Sequence, residues 1–253
     1  QFHKLQDLTF EEIDQLFLEG FRHYLMHKAR TKSATPLSRN TQSAYFNKLR
    51  AALNQAEQER LLPDNPVRRV KAIQGEKNKR VYLTEDEVRA LAQAECRYDV
   101  LKRAFLFSCC TGLRWSDIHK LTWAELEPFY GHYRIVFTQK KTSGLQYLDL
   151  NDMAMQLMGR PGKTSERIFK GLKYSAWHNM ELTRWALQAG ITKKVTFHSA
   201  RHTFAVIQLN RGVDIYALSR LLGHSELRTT EIYADILESR RRDAMLDFPN
   251  VLL

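Results

Sequence analysis

Cysteine is scarce in this sequence, with three in 253 residues: Cys96, Cys109 and Cys110. The number is odd, two of them are adjacent, and no C-x-x-C pair occurs. Neither a disulfide framework nor a thiolate zinc site is indicated, and a reducing cytoplasm is the simple expectation. No apolar run approaches the roughly eighteen residues of a membrane span, and no stretch has the form of a signal peptide. The carboxylates form no cluster able to hold a divalent cation, so no metal and no cofactor are expected. Internal repeats are absent as well.

What the chain does have is positive charge. Lys and Arg number 39 against 28 Asp and Glu, giving a formal charge of +11 and a pI near 9.6. Hydrophobic residues at 43% and aromatics at 11% are those of a globular protein, so the charge does not signal disorder. A folded basic protein is expected to meet polyanions, nucleic acid first among them. The length suits two modest domains or one large one.

Helical signals dominate. Thr9-Phe10-Glu11-Glu12 has the form of a capping box opening a helix through Ile13, Leu16, Phe17 and Phe21. From about Ser38 a second helix carries Tyr45, Leu49, Ala52, Leu53 and Ala56, until Pro63 and Pro66 end it. Residues 1–74 thus read as a small helical domain. A basic linker follows at 75–81, within a run holding Arg68, Arg69, Lys71, Lys77, Lys79 and Arg80, charges suited to tracking phosphates. Thr84-Glu85-Asp86-Glu87 is a further capping box, and residues 82–253 form a second domain. In it Val100 to Cys110 reads as an apolar helix interrupted at Thr111-Gly112, and Leu113 to Leu121 as its resumption. Tyr133–Phe137 and Leu145–Leu148 read as a hairpin with a basic tip, Lys140-Lys141-Thr142-Ser143-Gly144. A helix follows from Tyr174 to Leu187. Basic Arg240-Arg241-Arg242 and an apolar tail, Phe248 to Leu253, close the chain. The expected class is mainly α with a small antiparallel sheet (α+β).

The chemistry concentrates late in the chain. In Thr196-Phe197-His198-Ser199-Ala200-Arg201-His202-Thr203-Phe204, His198 and Arg201 lie one helical turn apart and can face one anion. In Leu221-Leu222-Gly223-His224-Ser225 one helix stops at Gly223 and another is expected to start at Ser225, carrying Tyr233. Arg114 follows an apolar segment and a glycine. Two arginines can clamp a phosphodiester and offset the charge of its pentavalent transition state. A tyrosine hydroxyl, with a pKa near 10, needs a base, and a histidine can serve. A lysine on a hairpin is a plausible proton donor to a leaving oxygen. The class of reaction is transesterification. A zinc hydrolase built on His198 and His202 is the alternative from another class; it lacks the Glu of H-E-x-x-H, Ser199 standing in that place.

The segments Thr111–Asp117, His198–Phe204, Leu221–Ser225 and Tyr233 resemble the signature boxes of the tyrosine recombinases, or phage integrases, in order and spacing. Lys141-Thr142-Ser143-Gly144 resembles the family's lysine turn. The likeness extends over about 82–245, and the helical first part resembles the core-binding domain more weakly. In flavour the chain is similar to integrases of mobile elements in Bacteroides-type bacteria, which usually carry a further arm-binding domain. The chain begins at Gln1, not Met, which would fit a missing start; whether an arm-binding domain has been removed is left open.

This resemblance implies a site-specific integrase that cuts and rejoins double-stranded DNA through a 3′-phosphotyrosine, without metal. It implies Tyr233 as nucleophile and Arg114 and Arg201 as phosphate ligands. His198 would be the base, Lys141 the acid, His224 a further phosphate donor and Asp117 an orienting residue. Lys140 is the alternative acid and a tentative DNA contact. Asp149 stands where a proline is common, which leaves the end of that strand open. The implied setting is a tetramer on two duplexes, with possible accessory DNA-bending proteins, in the bacterial cytoplasm on the nucleoid and away from membranes. A type IB topoisomerase or a catalytically silent DNA-binding regulator would share much of this pattern.

Overall fold

A computed structural model describes residues 8–76, 80–140 and 144–233. The chain divides into two compact units, residues 1–79 and 80–253.

In the first unit, α1 (Gln15–His23) runs into a π-helical turn at Tyr24–Lys28, and α2 spans Arg39–Gln58. The Thr9 box forms only as a turn, with Thr9 N and Oγ1 donating to Glu12 Oε2. The helix proper starts later because Asp14 caps it, accepting from Phe17 N at 2.7 Å. Ser38 caps α2 as expected. Its buried face is Gln42, Phe46, Leu53 and Ala56, whereas Tyr45 and Ala52 are exposed. Leu18, Leu25, Phe46, Val67 and Ile73 share one core. Arg68 and Arg69 lie on a 3-10 turn and pair with Glu57 (2.9 Å) and Asp64 (2.5 Å). Each thus has a carboxylate partner within the unit while its side chain stays exposed.

The second unit opens with α3 (Glu85–Gln93), whose Thr84/Glu87 capping box is complete in both directions. Next comes α4 (Asp99–Thr111), the central helix, with Leu101, Ala104, Phe105, Phe107 and Cys109 all buried. Phe105 meets Trp185 and Phe197 edge-on at 5.7 and 5.8 Å, and truncating such a ring costs about 3–5 kcal/mol. After α5 (Trp115–Lys120) three strands form an antiparallel meander: β1 (Leu126–Phe129), β2 (His132–Thr138) and β3 (Leu145–Leu150). β1 is an addition to the expected hairpin. Its Pro128 sits on an edge strand, where a missing N–H is tolerated. Tyr130 and Gly131, both at positive φ, make its two-residue connection to β2. β3 runs on through Asp149, which faces Arg134 across the ladder and accepts from its Nε at 2.6 Å. The remaining helices are α6 (Asp152–Met158), α7 (Ala176–Gln188), α8 (Phe197–Asn210) and α9 (Ile215–Leu222). α4 packs against both α6 and α8.

The segment after Gly223 departs from expectation. It holds two 3-10 turns, Leu227–Thr229 and Glu231–Tyr233, in place of a helix from Ser225. Tyr233 consequently ends a tight turn and packs with Phe204, Leu209, Leu218 and Leu222. No described helix is long and apolar enough to cross a membrane.

Candidate active site

α4 ends because Gly112 adopts φ +70°, and only glycine fits there. A methyl group on it would stand 2.6 Å from Phe204 Cδ1. The reversal presents two groups to one place: the Gly112 carbonyl and, two residues on, Arg114 at the N-cap of α5. Arg114 is half-buried, and its Nη1 is enclosed with no hydrogen-bond partner among the described residues. Burial lowers its pKa, opposed by Asp117.

From α8, Arg201 reaches the same place and is 4% exposed. Its Nη1 donates to the Gly112 carbonyl at 2.7 Å, and its Nη2 to the Leu222 carbonyl at 2.6 Å. Nη2 also lies 2.9 Å from His224 Nε2. Burial, and then the nearby positive Arg114, push the Arg201 pKa down to about 9, so it stays charged at pH 7. Two neighbouring guanidinium groups, Arg201 buried and Arg114 half-buried with an unused N–H, form a place for a doubly coordinated anion.

His224 follows the αL glycine Gly223 at the end of α9. A guanidinium only donates, so His224 Nε2 must accept from Arg201. The proton then resides on Nδ1, which is 2.7 Å from Thr230 Oγ1. Donation to a phosphate from Nε2 requires the other tautomer or the imidazolium.

Asp117 on α5 is fully buried and receives the Lys140 amide on Oδ1 at 2.9 Å. The Lys120 ammonium donates to the Thr138 carbonyl, and Gln139 N donates to the Gly144 carbonyl at 2.9 Å. Together these bonds hold Thr138, Gln139 and Lys140 after β2 and tie them to Gly144 before β3. The Lys140 side chain is exposed. Lys141, the expected acid, lies outside the described residues, as do Lys77, Lys79, the arginines at 240–242 and the tail. Lys71 and Arg80 are exposed.

Tyr233 is 3% exposed, and its hydroxyl lies 2.5 Å from His202 Nδ1. Burial pushes the phenol up to about 12, with Arg201 and Arg80 opposing. His202 is itself buried and pushed down to about 3, by burial first and then by His198, Arg80, Arg201 and His224. His198, one turn earlier on α8, is exposed and stands edge-to-face with His202 at 4.5 Å. Arg114, His198, Arg201, His224, Tyr233 and Asp117 are thus gathered at one locus around the start of α8.

The phage integrase family model matches residues 81–240, well over half the chain, and a phage integrase SAM-like domain model matches residues 1–73. The chain belongs to the phage integrase family, the tyrosine recombinases. It is 27% identical over 266 residues to the tyrosine recombinase XerD of Shewanella oneidensis, covering 94% of this chain and 82% of that one. To the integrase of Escherichia phage 186 it is 28% identical over 220 residues, 85% of this chain and 61% of the relative. Among solved structures, the XerH recombinase on its palindromic difH substrate aligns with a TM-score of 0.70 at 16% identity, covering 94% of this chain and 73% of that one. A lambda integrase dimer on a COC′ core site aligns at 0.66 and 20%, covering 92% and 83%. At such identities the likeness speaks for the fold.

Some residues of this recombinase's site were not expected from sequence. His202, whose sequence pattern suggests at most a zinc ligand, instead lies against the Tyr233 hydroxyl. The spacing of four from His198 was the available signal, since both imidazoles then share a helix face. Thr230, which holds His224, gave none: a lone threonine in a turn has no pattern.

Proposed function

We propose that this recombinase cuts and rejoins double-stranded DNA at a defined site by transesterification, integrating or excising a mobile element. The observation that supports it most is the Arg201 guanidinium. Gly112, Leu222 and His224 fix it beside Arg114, within the electrostatic reach of a buried tyrosine.

Arg114 and Arg201 bind the non-bridging oxygens of the scissile phosphate, and their fixed charge is matched to the trigonal-bipyramidal transition state. The Tyr233 oxygen attacks phosphorus, forming a 3′-phosphotyrosine, and the 5′-oxygen leaves. Lys141, the residue that the resemblance nominates as acid, supplies the proton to that oxygen. The imidazoles at the start of α8 take the phenol proton, His198 being the one that the resemblance nominates. His224, once protonated on Nε2, adds a donor to the phosphate. The tyrosyl ester conserves the energy of the broken bond, so rejoining needs no nucleotide, and two arginines do the work assigned elsewhere to metal ions. Four protomers act on two duplexes, aided by DNA-bending proteins, on the nucleoid in the cytoplasm.

A nicked suicide duplex carrying the element's crossover site tests the reading. Wild type is expected to give a denaturant-resistant protein–DNA band, unaffected by chelator, that Tyr233→Phe lacks while still binding DNA. A band retained by Tyr233→Phe, or none from the wild type on a bound duplex, would refute it.

A further inference from the structure

The Tyr233 hydroxyl must lose a proton to become a nucleophile, and the nitrogen lying 2.5 Å from it is His202 Nδ1. Both side chains are buried, at 3% and 6% exposure, and their rings meet at 5.7 Å and 63°. Water has little access to compete for that proton. Tyr233 is held in this place by packing against Phe204, Leu218 and Leu222, so the contact is built into the fold. We propose that His202 is a catalytic residue, the direct proton acceptor of Tyr233. The inference rests on the function proposed above and moves the base one helical turn along α8 from His198.

The step balances. The phenol donates to Nδ1; as its oxygen bonds to phosphorus, the proton passes to His202, and the departing 5′-oxygen takes a separate proton from the acid. On rejoining, His202 returns its proton to the tyrosine. The surroundings explain why the step waits for DNA. The groups facing His202 are His198 and Arg201 from its own helix, Arg80 from the segment entering α3, and His224 from the loop after α9. With Tyr233 neutral, these oppose an imidazolium between them. A phosphodiester seated on Arg114 and Arg201 brings the negative charge that offsets them. The base is therefore weak until the substrate arrives, which guards a buried nucleophile against idle reaction.

Single-turnover adduct formation on the nicked duplex tests this in wild type, His202→Asn and His202→Ala. Asparagine keeps an acceptor near the Nδ1 position but is not basic. The expected result is DNA affinity close to wild type for both variants and a melting temperature close to wild type for His202→Asn but lower for His202→Ala, with adduct formation slowed by about 10²-fold or more. Added imidazole should speed His202→Ala in proportion to its neutral fraction. Adduct formation within threefold of wild type, or slow formation that imidazole leaves unmoved in a folded, DNA-binding variant, would overturn the proposal and leave His202 as core packing. Absence of adduct from the wild type would instead refute the nucleophile and the function reading. Should both variants fail to fold, ¹⁵N spectra of the wild type decide. An unprotonated Nδ1 on His202 supports the acceptor role, and a protonated Nδ1 overturns it.

Discussion

Arg201 is anchored from three directions, and a lysine in its place would satisfy at most one of them with any precision. The planar fork is what allows Gly112, Leu222 and a phosphate oxygen to be met together. Arg201→Lys is therefore expected to lower the single-turnover cleavage rate by about 10²–10³-fold. DNA affinity, measured by equilibrium titration, should change less than tenfold; an equal loss in both would mean that the group acts in binding alone. His202 makes a second residue-scale prediction, on stability. Its folded pKa near 3 lies below the usual 6.5, so between those values the unfolded chain binds a proton that the folded one does not. Stability is then full above about pH 6.5 and falls as the pH drops, by about 3 kcal/mol at pH 4. Urea melts at pH 7 and 4 should show a smaller acid loss in His202→Asn than in wild type. Equal losses would contradict a neutral buried His202. At this scale the sequence displayed each signature residue but not which imidazole meets the phenol. That choice depends on how the two turns after Gly223 lead Tyr233 back, and no short-range pattern encodes it.

Elements were legible where a local rule agreed with the tertiary demand. Thr84 and Glu87 close a capping box in both directions, whereas Thr9 and Glu12 close only a turn because Asp14 offers the better cap five residues later. β1 carries no strand signature in sequence because Pro128 sits in it, tolerated only at the sheet edge. The expected helix from Ser225 became two 3-10 turns, and packing of Tyr233 against α8 and α9 overrode propensity there. Gly112 shows how an element boundary serves the site: it ends α4, starts the approach to Arg114 and lends its carbonyl to Arg201. Gly112→Ala is expected to cost about 1–3 kcal/mol in urea unfolding, since it combines a left-handed φ with a 2.6 Å contact to Phe204. Cleavage should fall further than this loss of stability explains. A variant as stable and as active as wild type would contradict the anchoring role.

For the whole molecule, charge was readable and its placement was not. The formal charge of +11 pointed to a polyanion, yet Arg68 and Arg69 turn out to be paired within the first unit. All four of Arg68, Arg69, Lys71 and Arg80 are exposed, but a phosphate must compete with a carboxylate for Arg68 and Arg69. DNA affinity should fall with salt at a log–log slope near −0.9 for each phosphate neutralised. Lys71→Ala should reduce that slope by about one, and Arg68→Ala should leave it unchanged. A flat salt profile in the wild type would contradict a DNA-gripping surface.

The identity of the nucleophile is the central claim, and mass spectrometry of the trapped complex tests it most directly. After nuclease and trypsin digestion, the peptide released by cleavage after Arg228 and Arg240 should carry a 3′-linked nucleotide on Tyr233. A nucleotide on any other residue, or one attached through its 5′-phosphate, would contradict the account.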